Sequence, residues 1–406
     1  MGWMQGFPPP AEKTITQPDS NFFSFPRLRW SVCHLRELLP TEPISRGLAS
    51  PVPLDYLPPA EFADARQTID ALTFTPMNSD EEMTWEESLY ANYTDGILII
   101  HQGRIVYERY FGCLQEDGKH AAMSMTKSVT GLLAEIMVAE RALDDRLLVA
   151  DLIPETEGSA FANATVRQVM DMTTGVQYSE DYSDPDADIW LYSRAASPLP
   201  KPADYSGPDG YWEYLQQVRP EGEHGAEFHY KTINSDMLGW IISRVSNQSV
   251  TELASERLWR PMGAEQDAYM TVDGKGVPFA GGGLTAGLRD LGRFGLLVLN
   301  GGTINGERLF PAQAVASIRQ GGDRSKFGNG FPTLPGASYK SQWWVFHNTN
   351  GAFAARGVHG QTVYIDPTAE MVIVRFASYP VAQNGFIDPT SLPAYQAVAD
   401  YLISIN

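Results

Sequence analysis

Apolar positions along this chain follow two periods, and the change of period marks out its elements. Near residue 96 the run Gly96-Ile97-Leu98-Ile99-Ile100-His101 is followed by Gln102-Gly103 and then Arg104-Ile105-Val106-Tyr107-Glu108-Arg109-Tyr110-Phe111. Two β-rich runs around a glycine-containing turn predict a β-hairpin. The first run is almost wholly apolar, which predicts a strand inside a sheet. A dozen residues later the period becomes helical, with Leu132, Leu133, Ile136 and Met137 on one face. That spacing predicts a core helix opened by Ser124.

Helical periods and long connections dominate from 150 to 270. Thr165 to Met172 predicts a short capped helix ended by Gly175. Tyr178 to about Pro208 predicts a long loop of aspartates, tyrosines and prolines, of the kind that forms binding walls or lids. Asn234 to Val245 and Val250 to Trp259 predict two more helices, and Leu284 to Leu299 a third. The last hundred residues return to strands: Trp343 to Phe346, Val358 to Asp366 and Met371 to Phe376, before a final helix near 392–405. Asp80 to Glu87 reads as a solvated helical face. Residues 1–75 are proline-rich with little periodicity; 21–75 reads as an extended segment packed on the body and 1–20 as a disordered tail. The expected organisation is that segment, an α/β sheet domain from 76–123 and 275–406, and a mostly helical domain at 124–274.

Composition narrows the partners. A net charge of −19 over 406 residues argues against nucleic acid or an anionic membrane as the main partner. No run reaches the roughly 18 apolar residues of a membrane span, and the first ten residues lack a signal-peptide pattern, so a cytoplasmic protein is expected. The only two cysteines, Cys33 and Cys113, form no C-x-x-C pair and read as free buried thiols, with a single bridge as the alternative.

Chemistry enters at Ser124-Met125-Thr126-Lys127. Residues three apart on a helix are neighbours, so the Lys127 amine can reach the Ser124 hydroxyl and take its proton. The competing reading is a helix-capping serine beside a solvated lysine. A nucleophile of this kind also needs a proton shuttle and an oxyanion site. Tyr230, with Lys231 beside it to stabilise a phenolate, is a candidate shuttle, against the plainer reading of a packed tyrosine. Val358-His359-Gly360-Gln361 is predicted as a strand whose N–H could join that of Ser124 around an oxyanion. His359 taken alone reads as structural, and no histidine has metal-ligand spacing, so no metal is assigned. No G-x-S-x-G elbow, P-loop or dinucleotide fingerprint is present, and no cofactor is expected.

Ser124-Met125-Thr126-Lys127, the Tyr230 motif and His359-Gly360-Gln361 stand in the order of the serine β-lactamase and penicillin-binding protein superfamily. In detail, Glu180 to Pro185, Phe279 to Gly283, Gln342-Trp343-Trp344 and Gly357 to Gln361 make the chain resemble the 6-aminohexanoate-dimer hydrolase branch. That branch is related to class C β-lactamases and family VIII carboxylesterases. The resemblance runs from about Trp30 to the C-terminus. It implies an α/β (α+β) fold, an antiparallel sheet flanked by helices plus an inserted helical domain, with the site between them. It further implies Ser124 as the acylated nucleophile, Lys127 as base and Tyr230 as proton relay. Tyr182 matches a tyrosine that contacts the substrate amide nitrogen, and the N–H groups of Ser124 and Val358 match the oxyanion hole.

Three positions depart from the pattern. His359 replaces the lysine of the β-lactamase K-T-G triad, which argues against β-lactam hydrolysis. Ser193 stands where the nylon-dimer enzyme has aspartate, and Gly281 where it has asparagine, which puts efficient hydrolysis of that dimer in doubt. The expectation is a cofactor-free serine hydrolase acting on a small amide or ester. A short-chain carboxylesterase is the alternative, followed by a non-catalytic binding protein of the same fold. A homodimer is the commonest oligomer for such a protein.

Overall fold

The computed structural model describes residues 2–16 and 21–405. An eight-stranded sheet carries the body of the protein. Its order is Ser338–Lys340, Trp343–Val345, Phe353–Gly357, Gln361–Asp366, Met371–Ala377, Thr94–His101, Arg104–Tyr110 and Asp55–Tyr56. Every pairing is antiparallel except the last, where Asp55–Tyr56 runs parallel to its neighbour. The predicted hairpin is present. Gln102 and Gly103 both take positive φ, 48° and 79°, which is what a tight turn between twisted strands requires.

The central strands are buried on both faces, and side-chain alternation divides them between two cores. Leu98, Ile100, Val363, Ile365, Val372 and Val374 point to the side of the helices Met125–Ala139 and Leu288–Leu299. Ile97, Ile99, Tyr364, Met371 and Ile373 point to the opposite side, against Asp388–Ser404 and Trp85–Ala91. Successive side chains of a strand face opposite ways, so a nearly continuous apolar run is the pattern a doubly covered strand needs.

A second, four-stranded sheet runs Thr41–Ile44, Ala268–Thr271, Leu284–Ala286, His120–Ala121. It corrects one expectation: Leu284–Ala286 is a strand paired to residues 269–270 and 120–121, and the helix begins only at Leu288. The expected long loop after Tyr178 likewise contains a helix, Asp188–Ala196. Thr165 caps Val166–Met170 through a capping box as expected, and the acidic stretch enters Trp85–Ala91 through another, at Thr84.

Of the expected disordered tail, residues 2–16 are placed, with Ile15 buried and Met4 N–H bonded to the Lys13 carbonyl at 2.9 Å; residues 1 and 17–20 lie outside the described residues. The cysteine expectation is overturned. Cys33 and Cys113 are joined in a disulfide across 80 residues of sequence, their Cα atoms 6.6 Å apart. Pairing depends on where the turn at 113, after the strand Arg104–Tyr110, meets the segment at 33, a long-range contact that spacing does not encode. Among the described residues no helix is long and apolar enough to cross a membrane.

Arg293 ties the N-terminal segment to this body. It is 1% exposed, donates to the Val52 carbonyl at 2.6 and 2.9 Å, and pairs with Glu265 at 2.7 Å and Asp290 at 3.1 Å. Removing one partner of a buried ionic cluster strands the rest without compensation. Arg293→Ala is therefore expected to destabilise the protein by about 3–5 kcal/mol, read as a lower urea midpoint with unchanged slope.

Candidate active site

The four-stranded sheet delivers the chain to the site. Ala122 N–H bonds the Leu284 carbonyl at 2.8 Å, Met123 takes a left-handed φ of 48°, and the helix Met125–Ala139 follows at once. A left-handed methionine is uncommon, and such backbone concentrates where geometry is tightly imposed. Ser124 occupies the N-cap position yet its side chain makes no capping hydrogen bond. Its Oγ instead accepts from Lys127 Nζ at 2.9 Å. The two readings of this serine are thus separated by geometry: the hydroxyl is directed at the lysine rather than at its own helix.

Lys127 is 1% exposed, and its Nζ also donates to the Gly281 carbonyl at 2.5 Å. Burial disfavours the ammonium and pulls the group down to about 8, against the opposing pull of Glu180 and Asp236. An amine so placed can release its proton within the working range of an enzyme.

Tyr230 lies near the serine, whose hydroxyl acts on the phenol against the effect of burial. Its ring stacks on Trp344, centroids 5.5 Å apart, and Lys127 Nζ lies 5.2 Å from its centroid. Burial, reinforced by the Glu180 charge, raises its proton affinity above that of an ordinary phenol. The expected stabilised phenolate is therefore corrected: Tyr230 is a neutral O–H. Lys231, expected to stabilise it, turns away to the Val176 carbonyl and to Glu221.

Gly357 ends a strand directly against the nucleophile. A Cβ there would stand 2.7 Å from the Ala122 carbonyl oxygen and 2.9 Å from Ser124 N, so only glycine permits this approach. Val358–Gly360 is not the strand expected from its pattern. It is a one-turn helix between Phe353–Gly357 and Gln361–Asp366, with His359 at φ 63°. The break allows Val358 to leave the sheet and line the same opening as Ser124. His359 Nδ1 faces the Tyr379 carbonyl at 2.7 Å, which can only accept, so that nitrogen carries the proton. Burial lowers its basicity, against the opposing pull of the Tyr379 carbonyl. It is a neutral brace between the turn and the 379–382 segment.

The opening is a cleft of two adjoining lobes. One, of about 480 Å3, is lined by Ser124, Lys127, Tyr182, Ser193, Gly281, Val358 and His359. The other, of about 320 Å3, is lined by Tyr182, Tyr230, Trp344, Arg356 and Val358. Between them, the two lobes gather Ser124, Lys127, Tyr230, Tyr182, Ser193, Gly281, Val358 and His359, but not Lys231. Tyr182 donates its O–H to Glu180 at 2.8 Å and borders both lobes. Ser193, on the helix Asp188–Ala196, returns its hydroxyl to the Ile189 carbonyl at 2.7 Å. Gly281 contributes backbone; a Cβ would stand 2.7 Å from Thr232 Cγ2, so this wall carries no side chain.

Sequence reasoning gave no role to two carboxylates here, Glu180, half-buried, and Asp236, buried. Glu180 accepts from Thr232 N–H and Oγ1, both at 2.6 Å, and Asp236 from Tyr192 O–H at 2.7 Å and Gly281 N–H at 3.1 Å. The available signal was a run of polar residues, Asn234-Ser235-Asp236, at the start of an otherwise apolar helix. Among the described residues no cluster of histidine, cysteine, aspartate and glutamate could hold a metal ion.

Known proteins resemble this chain in sequence and in fold. The beta-lactamase family model matches residues 87–390. A 6-aminohexanoate-dimer hydrolase of Paenarthrobacter ureafaciens is 35% identical over 358 residues, covering 87% of this chain and 86% of that protein. A solved Bacillus anthracis protein, provisionally named a 6-aminohexanoate-dimer hydrolase, superposes with a TM-score of 0.86 at 30% identity, over 97% of this chain and 99% of that one. EstCE1, a hydrolase with promiscuous acyltransferase activity, shares the fold at a TM-score of 0.61 and 16% identity, over 84% and 99% of the two chains. The expected architecture, an antiparallel sheet flanked by helices, is the one these proteins have. The chain belongs to the beta-lactamase family and is a hydrolase with that family's fold.

Proposed function

We propose that the protein cleaves a small amide or ester through an acyl-enzyme on Ser124, in the manner of a 6-aminohexanoate-oligomer hydrolase. The observation that carries this reading is a serine hydroxyl held at 2.9 Å by a buried lysine, with the Tyr230 ring 5.2 Å from that lysine's Nζ. In its neutral form Lys127 takes the Ser124 proton as Oγ adds to the substrate carbonyl. The developing oxyanion is received by the N–H groups of Ser124 and Val358. Tyr230 gives its proton to the departing nitrogen or oxygen, is reprotonated through Lys127, and the acyl-enzyme is then hydrolysed by water. Tyr182 positions the scissile group from the shared edge of the two lobes. The helical stretch 124–274 and the sheet residues 76–123 and 275–406 act in this reading as two domains with the cleft between them, and the protein works in the cytoplasm, as a monomer or a homodimer.

A neutral His359 supplies no cation for a β-lactam carboxylate, which supports an amide or ester substrate over a β-lactam. Ser193 and Gly281 offer neither the carboxylate nor the amide side chain that the linear nylon dimer would meet, so that dimer is expected to be a poor substrate. A short-chain ester is the alternative, and paired turnover of matched esters and amides separates the two. The direct test is covalent labelling: a fluorophosphonate should modify Ser124, located by peptide mass spectrometry. An unlabelled protein would instead be a non-catalytic binding protein of this fold.

Tyr230→Phe should lower kcat on an anilide by about 10²–10⁴. The loss should be smaller on a p-nitrophenyl ester, because p-nitrophenolate leaves without being protonated. Equal losses on both substrates would remove Tyr230 from the proton path.

A further inference from the structure

Asp236 has no part in the steps above, yet it is a buried carboxylate beside the catalytic pair. It lies in the first turn of Ile233–Ser246 and is 3% exposed. A helix N-terminus favours an anion, but that alone does not account for a carboxylate buried beside a lysine. Its bonds give the second observation. Asp236 Oδ1 accepts from Gly281 N–H at 3.1 Å and Oδ2 from Tyr192 O–H at 2.7 Å. The carbonyl of that same Gly281 receives Lys127 Nζ at 2.5 Å, and the neighbouring Ala280 carbonyl receives Thr130 Oγ1 at 3.0 Å. The turn is therefore gripped from one side by the carboxylate and from the other by the helix that carries the serine.

We infer that Asp236 is a positioning residue for the serine–lysine pair. Its carboxylate holds the 279–283 turn so that the Gly281 carbonyl seats Lys127 against Ser124, and its charge biases where the lysine's proton resides. The inference rests on the reading of Lys127 as the base. The groups facing Lys127 are Glu180, Asp236 and Tyr230; those facing Asp236 are Lys127 and the neutral tyrosines 178, 192 and 211. Burial raises Asp236 to about 7, so it is mostly ionised at the midpoint near 8 at which Lys127 titrates. An anion there stabilises the ammonium. Removing it must move the lysine's titration to lower pH.

The test is the pH profile of kcat/KM on a p-nitrophenyl ester for the intact protein and Asp236→Asn, which keeps an acceptor for Gly281 N–H but no charge. The acid limb is expected to move down by about one pH unit, while plateau kcat falls about tenfold with KM changed less than about twofold. Tyr192→Phe, which weakens the anion without deleting it, should move the limb in the same direction by less, and serves if the first variant does not fold. A limb that stays in place in the folded variants, or a loss confined to KM, overturns the role of Asp236. If the wild-type profile has no acid limb and Lys127→Met turns over normally, the base assignment fails and the inference falls with it.

Discussion

Ser124→Ala should give a folded protein whose kcat on esters and amides is lower by roughly 10⁴–10⁶, because one atom is both the nucleophile and the site of the covalent intermediate. Folding should be almost untouched. The Ser124 hydroxyl contributes no helix cap, so its loss is not expected to carry the ~1 kcal/mol that a capping serine would. Thermal unfolding and p-nitrophenyl-ester turnover measured on the same preparation check both halves. A folded variant with undiminished turnover would end the acyl-enzyme reading. A variant that loses activity only because it unfolds would return Ser124 to a structural role.

Lys127→Met is expected to be nearly as severe, about 10³–10⁴ in kcat/KM, and to change the shape of the pH profile. In the wild type the lysine holds its proton below about 8 and cannot accept another; above that it is free to do so. Activity should therefore rise with pH through a midpoint near 8, and that limb should vanish in the variant. Stability should fall, since the Gly281 carbonyl and the Asp236 carboxylate lose a buried partner, and thermal unfolding of the variant measures that loss separately from turnover. Retention of the limb in Lys127→Met would assign it to another group, with Asp236 the nearest candidate.

Much of this site is legible along the chain because its parts are local. A serine and a lysine three residues apart on one helix meet whatever surrounds them, and Gln102-Gly103 between apolar runs turns the chain back through its own backbone geometry. Other features failed for a common reason. Val358-His359-Gly360 has strand-like neighbours, but the close approach of Gly357 to Ser124 N and the 379–382 segment against His359 break it into a turn. Leu284–Ala286 continues a helical pattern, but the open edges of strands 120–121 and 268–271 claim its backbone. Tyr230 was paired with its sequence neighbour Lys231, whereas the cation near its ring is Lys127, about a hundred residues away in sequence.

Local periodicity and side-chain spacing thus suffice for the central hairpin, the serine helix and the presence of a nucleophile with its base. Whether that base can act is a matter of burial, and burial is set by elements that arrive from everywhere: Glu180 from a loop, Asp236 from a second helix, the Gly281 carbonyl from a turn. The Cys33–Cys113 bond is of the same kind. Proton affinities depend on desolvation and on charges brought close by packing, and a linear pattern carries no record of either. Reactivity at Ser124 is accordingly a property of the assembled cleft, while its chemistry is already written in four consecutive residues.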